Sequence, residues 1–131
     1  MSRCEGTFGL YPWFLEHGTE MIHPSDYHHF SILKPYGKVF QCVGESERYL
    51  VLRYGLAQYR VKPDLYQPIP KPPFVIGEPV RVKDDPNLIG VVCDINWHHQ
   101  KSSPIFFLEI NGKRRSRRFF QDELESIEHK T

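Results

Sequence analysis

Residues 67–74 read Gln-Pro-Ile-Pro-Lys-Pro-Pro-Phe, four prolines in eight positions. Proline fixes φ and has no N–H to donate, so neither a helix nor a central strand can run through this stretch. Its natural conformation is extended polyproline-II, which makes it a stiff connector. Patterned sequence resumes on both sides of it. The expected organisation is therefore an N-terminal part over residues 1–66, a connector at 67–74, and a C-terminal part over 75–131. Each part is small enough that its core alone would be marginal.

Both flanking parts read mainly as strands. In the first, Lys38–Val43, Tyr49–Tyr54 and Gln58–Val61 are rich in β-formers and separated by Gly44-Glu45-Ser46-Glu47 and by Gly55. Pro63-Asp64-Leu65-Tyr66 predicts a single 3₁₀ turn. Pro24-Ser25-Asp26 is a helix-start signal and Pro35 a stop, so one short helix is expected over Tyr27–Leu33. Phe8–Phe14 packs four aromatics around a proline with no clean period, which predicts an ordered extended arm. In the second part, Val80 and Val82 alternate with Arg81 and Lys83, and strands follow at Gly90–Trp97, Ile105–Ile110 and Lys113–Phe120. Asn111-Gly112 is the strongest short hairpin signal in the chain. Asp122-Glu123-Leu124 predicts another helical turn.

The two parts rhyme. Gly37-Lys38-Val39 matches Gly90-Val91-Val92, Tyr54-Gly55 matches Asn111-Gly112, and Arg60–Leu65 matches Phe119–Leu124. Five short strands closed by a helical turn describe a small barrel. The second part, GEPVRVKDD…GVVCDINWHH…FFLEINGKRRSRRFFQDEL, resembles the SH3-like barrels of KOW and Tudor modules. The whole chain, with LYPWF, PYGKVFQCVG, YLVLRYG and YRVKP, also resembles a family of small bacterial proteins of uncharacterised function. The resemblance implies an all-β architecture of two small SH3-like barrels, with a short helical insertion in the first. It implies no chemistry, and Ile89-Gly90-Val91 departs from the nucleic-acid-binding KOW turn.

Lys plus Arg number 17 against 16 Asp plus Glu, a balance that excludes a generally polycationic protein. No stretch approaches the roughly 20 apolar residues of a membrane span, and MSRCEG offers no apolar leader core. Cys4, Cys42 and Cys93, an odd number at wide spacing, read as free thiols in a reducing, cytoplasmic setting.

The near-neutral total hides Lys113–Arg118, five basic residues in six, within a C-terminal part that carries 9 basic and 9 acidic residues. Alternation makes both faces of this strand basic. Three readings fit: a solvated edge paired with nearby carboxylates, a phosphate-contacting surface using Arg115 and Arg117, or a surface for an acidic protein segment. The aromatics outnumber what two tiny cores can bury, so some of them, Trp13 and Tyr54 included, are candidates for a peptide groove. Trp97 at a strand end, followed by His98 and His99, is the other candidate contact.

No ligand spacing for zinc, no GxSxG, no HExxH and no glycine-rich phosphate loop occurs in the sequence. Neither catalytic residues nor a metal or cofactor is expected. The reading is a non-catalytic binding protein for a protein or peptide partner, with nucleic acid as the alternative ligand. Its expected contacts are Trp13, Tyr54, Trp97, His98, His99, Arg115 and Arg117.

Overall fold

In the computed structural model, which describes residues 4–127, the chain divides inside the proline-rich stretch, between Lys71 and Pro72. Each side of that division builds its own five-stranded antiparallel sheet. In the first unit the strands are β1 (Phe8–Leu10), β2 (Val39–Ser46), β3 (Tyr49–Tyr54), β4 (Ala57–Val61) and β5 (Gln67–Ile69), in the order β4-β3-β2-β1-β5. A helix, α1, occupies Tyr27–Leu33, between Asp26 and the left-handed Lys34 that precedes Pro35.

The aromatic arm is a strand at its start. Phe8–Leu10 pairs with β2 on one side and with β5 on the other. The first three residues of the proline-rich stretch are β5 itself. Pro68 is tolerated there because β5 ends the sheet, where one side of the strand needs no partner. Gly9 permits the close approach. A Cβ at that position would lie 2.6 Å from the Tyr66 ring and 2.7 Å from the Gln67 carbonyl oxygen. Behind this sheet Tyr11, Trp13, Phe30, Phe40, Leu52 and Val61 form a buried cluster, with α1 contributing Phe30. The Tyr11 hydroxyl donates to the Lys62 carbonyl at 2.6 Å, which satisfies the polar tip of a fully buried ring.

The second unit contains β6 (Pro79–Val82), β7 (Asp85–His98), β8 (Ser103–Ile110), β9 (Lys113–Phe120) and β10 (Leu124–Ser126), in the order β10-β6-β7-β8-β9. Both sheets follow one plan. The first strand of each unit lies between its last and its second, and a 3₁₀ turn (Pro63–Leu65, Gln121–Glu123) precedes the last. Each second strand slips register against the third at one place, between Cys42 and Gly44 and between Val92 and Asp94. The registers correct the sequence matches. Tyr54↔Ala57 and Ile110↔Lys113 close the equivalent two-residue turns, so Tyr54 corresponds to Ile110 and not to Asn111. A slip of one residue matters, because it exchanges the two faces of a strand.

The expected SH3-like barrels are not formed, and the KOW and Tudor resemblance fails with them. Closure requires the end strands of a sheet to share a ladder. Here the sheets end at β4 and β5 and at β10 and β9, and among the described residues neither pair of ends is joined. β5 and β10 have three residues each and pair along one side only. What stands, over the described residues, is an all-β arrangement of two open sheets with one short α-helix.

The free-thiol reading also changes. Cys4 and Cys42 form a disulfide, with Cα atoms 5.9 Å apart, and Cys93 stays outside it as a thiol that donates to the Phe107 carbonyl at 3.5 Å. Pairing of β1 with β2 brings them together: Gly6 N–H donates to the Cys42 carbonyl at 2.8 Å and Cys42 N–H to the Thr7 carbonyl at 2.9 Å. The bond takes away the thiol argument for a reducing compartment. Among the described residues no helix is long and apolar enough to cross a membrane.

Candidate functional site

β9 is an edge strand, and Lys113–Arg118 are all exposed along it. Phe107 pairs with Arg118 and Glu109 with Arg114, so Arg115, Ser116 and Arg117 together face the single residue Leu108. Such a bulge twists an edge and breaks its flatness. The five cations divide by partner. Arg114 donates to the buried Asp94 carboxylate at 2.8 Å, and its guanidinium lies 4.6 Å over the Phe107 ring. Arg117 stands 3.8 Å from Glu123 and 4.3 Å over Phe119. Lys113, Arg115 and Arg118 have no carboxylate within ion-pair distance among the described residues. Of the candidate phosphate contacts, Arg115 is thus uncommitted and Arg117 partly compensated.

Trp97, His98 and His99 do not converge. Trp97 pairs with Pro104 and His98 with Ser103 on β8, so the two side chains leave opposite faces of β7. His98 meets the Phe120 ring at 5.5 Å, and Lys101 Nζ lies 4.7 Å over that ring. His99 is exposed in the turn that follows.

Trp13 and Tyr54 belong to the first unit. Trp13 is buried, edge-on to Tyr27 at 5.7 Å, and its indole N–H donates to the Gly18 carbonyl at 2.9 Å. Tyr54 is half-buried, with its ring 5.5 Å from Phe40. Trp13 is a wall of a groove whose other side is α1 and the turn after it, a cavity of about 570 Å³. Around it Phe14 (43% exposed), Leu15 (72%) and Tyr36 (43%) stay in solvent. Phe14 and Tyr36 stack at 4.9 Å with planes 18° apart. Glu16 and Lys34 complete the lining as its charged members. Phe14 and Tyr36 are among the aromatics that outnumber the cores in the sequence, but they are not among the seven expected contacts. They are 22 positions apart, and only the return of the chain through α1 brings them side by side.

Asp26, Tyr11 and Tyr66 of this unit are displaced from their ordinary titration values. Burial raises the Asp26 carboxyl, but the Arg60 side chain and main chain donate to it at 2.9 and 2.8 Å, and with the Arg60 charge they hold it below the ordinary carboxylate value. Burial, aided by the Asp64 charge, pushes the Tyr11 phenol up. Burial does the same to Tyr66, against the hydrogen bond to Thr7. Among the described residues no three His, Cys, Asp or Glu side chains are placed to hold a metal ion.

A family model described as a family of unknown function (DUF6960) matches residues 1–125. The chain belongs to the DUF6960 family. No curated protein and no solved structure matches it. In this DUF6960 member two surfaces therefore remain to be read by their own chemistry: the aromatic groove of the first unit and the basic edge of the second.

Proposed function

We propose that this DUF6960 protein is a non-catalytic binding protein that takes an extended apolar segment of a protein partner into the aromatic groove of its first unit. One observation carries the reading: Phe14, Leu15 and Tyr36 are held in solvent around a ready-made cavity of about 570 Å³. Contiguous apolar surface of this kind gains by being covered. Flat rings along a groove suit an extended proline-containing segment, whose preformed polyproline-II conformation loses little freedom on docking. Glu16 and Lys34 give the groove a charged border around its apolar floor, the usual layout of a protein-binding patch.

The test is a titration of the isotope-labelled full chain with an extended peptide of alternating proline and leucine, followed by amide chemical shifts. The expected shifts concentrate at residues 13–16 and at Lys34 and Tyr36, which flank Pro35. Phe14→Ala with Tyr36→Ala should weaken binding by about tenfold or more, as loss of an aromatic anchor does, with the circular dichroism unchanged. A peptide that leaves these amides unmoved, or a double variant that binds like the parent, overturns the reading.

A further inference from the structure

The second unit presents a surface of different chemistry, and we infer that its β9 edge binds single-stranded nucleic acid. Phosphates would meet Lys113, Arg115 and Arg118, and a base would stack on Phe120. Charge is the first argument. Arg114 is neutralised by Asp94 and Arg117 lies near Glu123, but the other three cations of the strand face no carboxylate among the described residues. Like charges on neighbouring positions repel one another. A bulge or charged side chains blunt a sheet edge; this strand has the bulge as well as five cations in six positions, more than edge protection requires. A polyanion relieves the excess and releases its own counterions in doing so.

The rings decide which polyanion. Cross-strand partners share a face, and the pairs Phe107↔Arg118 and Ile105↔Phe120 put Phe107, Arg118 and Phe120 on one side of the sheet. Arg114, bonded to Asp94 and stacked on Phe107, lies on that side too. Phe120 is half-buried, flanked by His98 at 5.5 Å and by Lys101 at 4.7 Å. Lys113 pairs with Ile110 and so leaves the other face. A nucleic-acid strand reaching Lys113 as well as Arg118 would therefore follow the exposed edge of β9 itself, with Phe120 at the end of that path as the π-surface for a base. An acidic peptide would use the cations alone, whereas a base can replace Lys101 on the half-buried Phe120 ring. Stacking on a ring also requires an unpaired base, which selects a single strand over a duplex.

The test is fluorescence anisotropy of the full chain with a labelled oligodeoxythymidylate of about twelve nucleotides, within the usual footprint of such surfaces. Between about 50 and 200 mM salt the expected slope of log K against log salt is about −2, from three contacts at about −0.7 each. Arg115→Ala with Arg118→Ala, both exposed positions, should cut affinity and reduce the slope by about 1.4 in magnitude. Phe120→Leu should weaken binding by about tenfold and leave the slope unchanged, because stacking releases no ions. No binding at low salt overturns the inference, and so does an arginine double variant that binds like the parent. An oligoglutamate of equal length that binds more tightly than the oligonucleotide reassigns the surface to acidic protein segments and also overturns it. These variants lie outside the first unit, so either outcome leaves the aromatic groove to its own test.

Discussion

Asp26 shows how much a single side chain can tie together. It stands just before α1, yet its carboxylate does not cap that helix; it accepts hydrogen bonds from Arg60 on β4. Because its carboxyl titrates lower in the folded chain than in the unfolded one, this contribution to stability is present above the unfolded value of about 3.9. It is lost as pH falls through the folded value. Asp26→Asn should therefore lower the urea midpoint at neutral pH, and the gap to the parent should close in acid. A gap that is the same at pH 7 and in acid would remove Arg60 pairing as its cause. The sequence marks Asp26 as a helix-start residue, which is correct as to place. Its partner is 34 positions away and carries no local signal. Arg114 and Asp94 repeat the lesson, since the basic run is visible at a glance and the member already neutralised is not.

At the scale of elements, legibility follows length and period. The helix over Tyr27–Leu33 forms where its start and stop signals put it, and β3, β4, β8 and β9 lie close to the stretches of β-forming residues that mark them. β1 and β5 escape, because three residues are too few to display alternation and a proline sits inside β5. Their pairing is instead visible at Gly9, which the sequence presents as an ordinary glycine. Gly9→Ala should cost about 1–3 kcal/mol in urea unfolding, the usual penalty for forcing a methyl into packed surroundings. Gly37→Ala, where a Cβ meets nothing within 4 Å, should be close to neutral. Equal costs at the two positions would mean that the approach of Tyr66 and Gln67 to β1 is not what Gly9 serves.

For the whole molecule, the cysteines give the sharpest check. Denatured but unreduced protein should titrate one thiol per chain, Cys93, and reduced protein three. Reduction should lower the stability of the first unit by about 2–4 kcal/mol, since the bond closes a loop of 38 positions in the unfolded chain. Three thiols before reduction would restore the sequence reading.

Local signals in the sequence mark the helix, most strands and turns, and the run of cations. These rest on the backbone limits of proline and on side-chain periodicity, which act between residues a few positions apart. The tertiary structure decided which cysteines bond, whether the sheets close, and which rings stay in water. Those outcomes depend on pairings such as Phe8 with Ile69 and Cys4 with Cys42. Nothing in a local pattern encodes them, because each is settled by the free energy of the assembled sheet and its core.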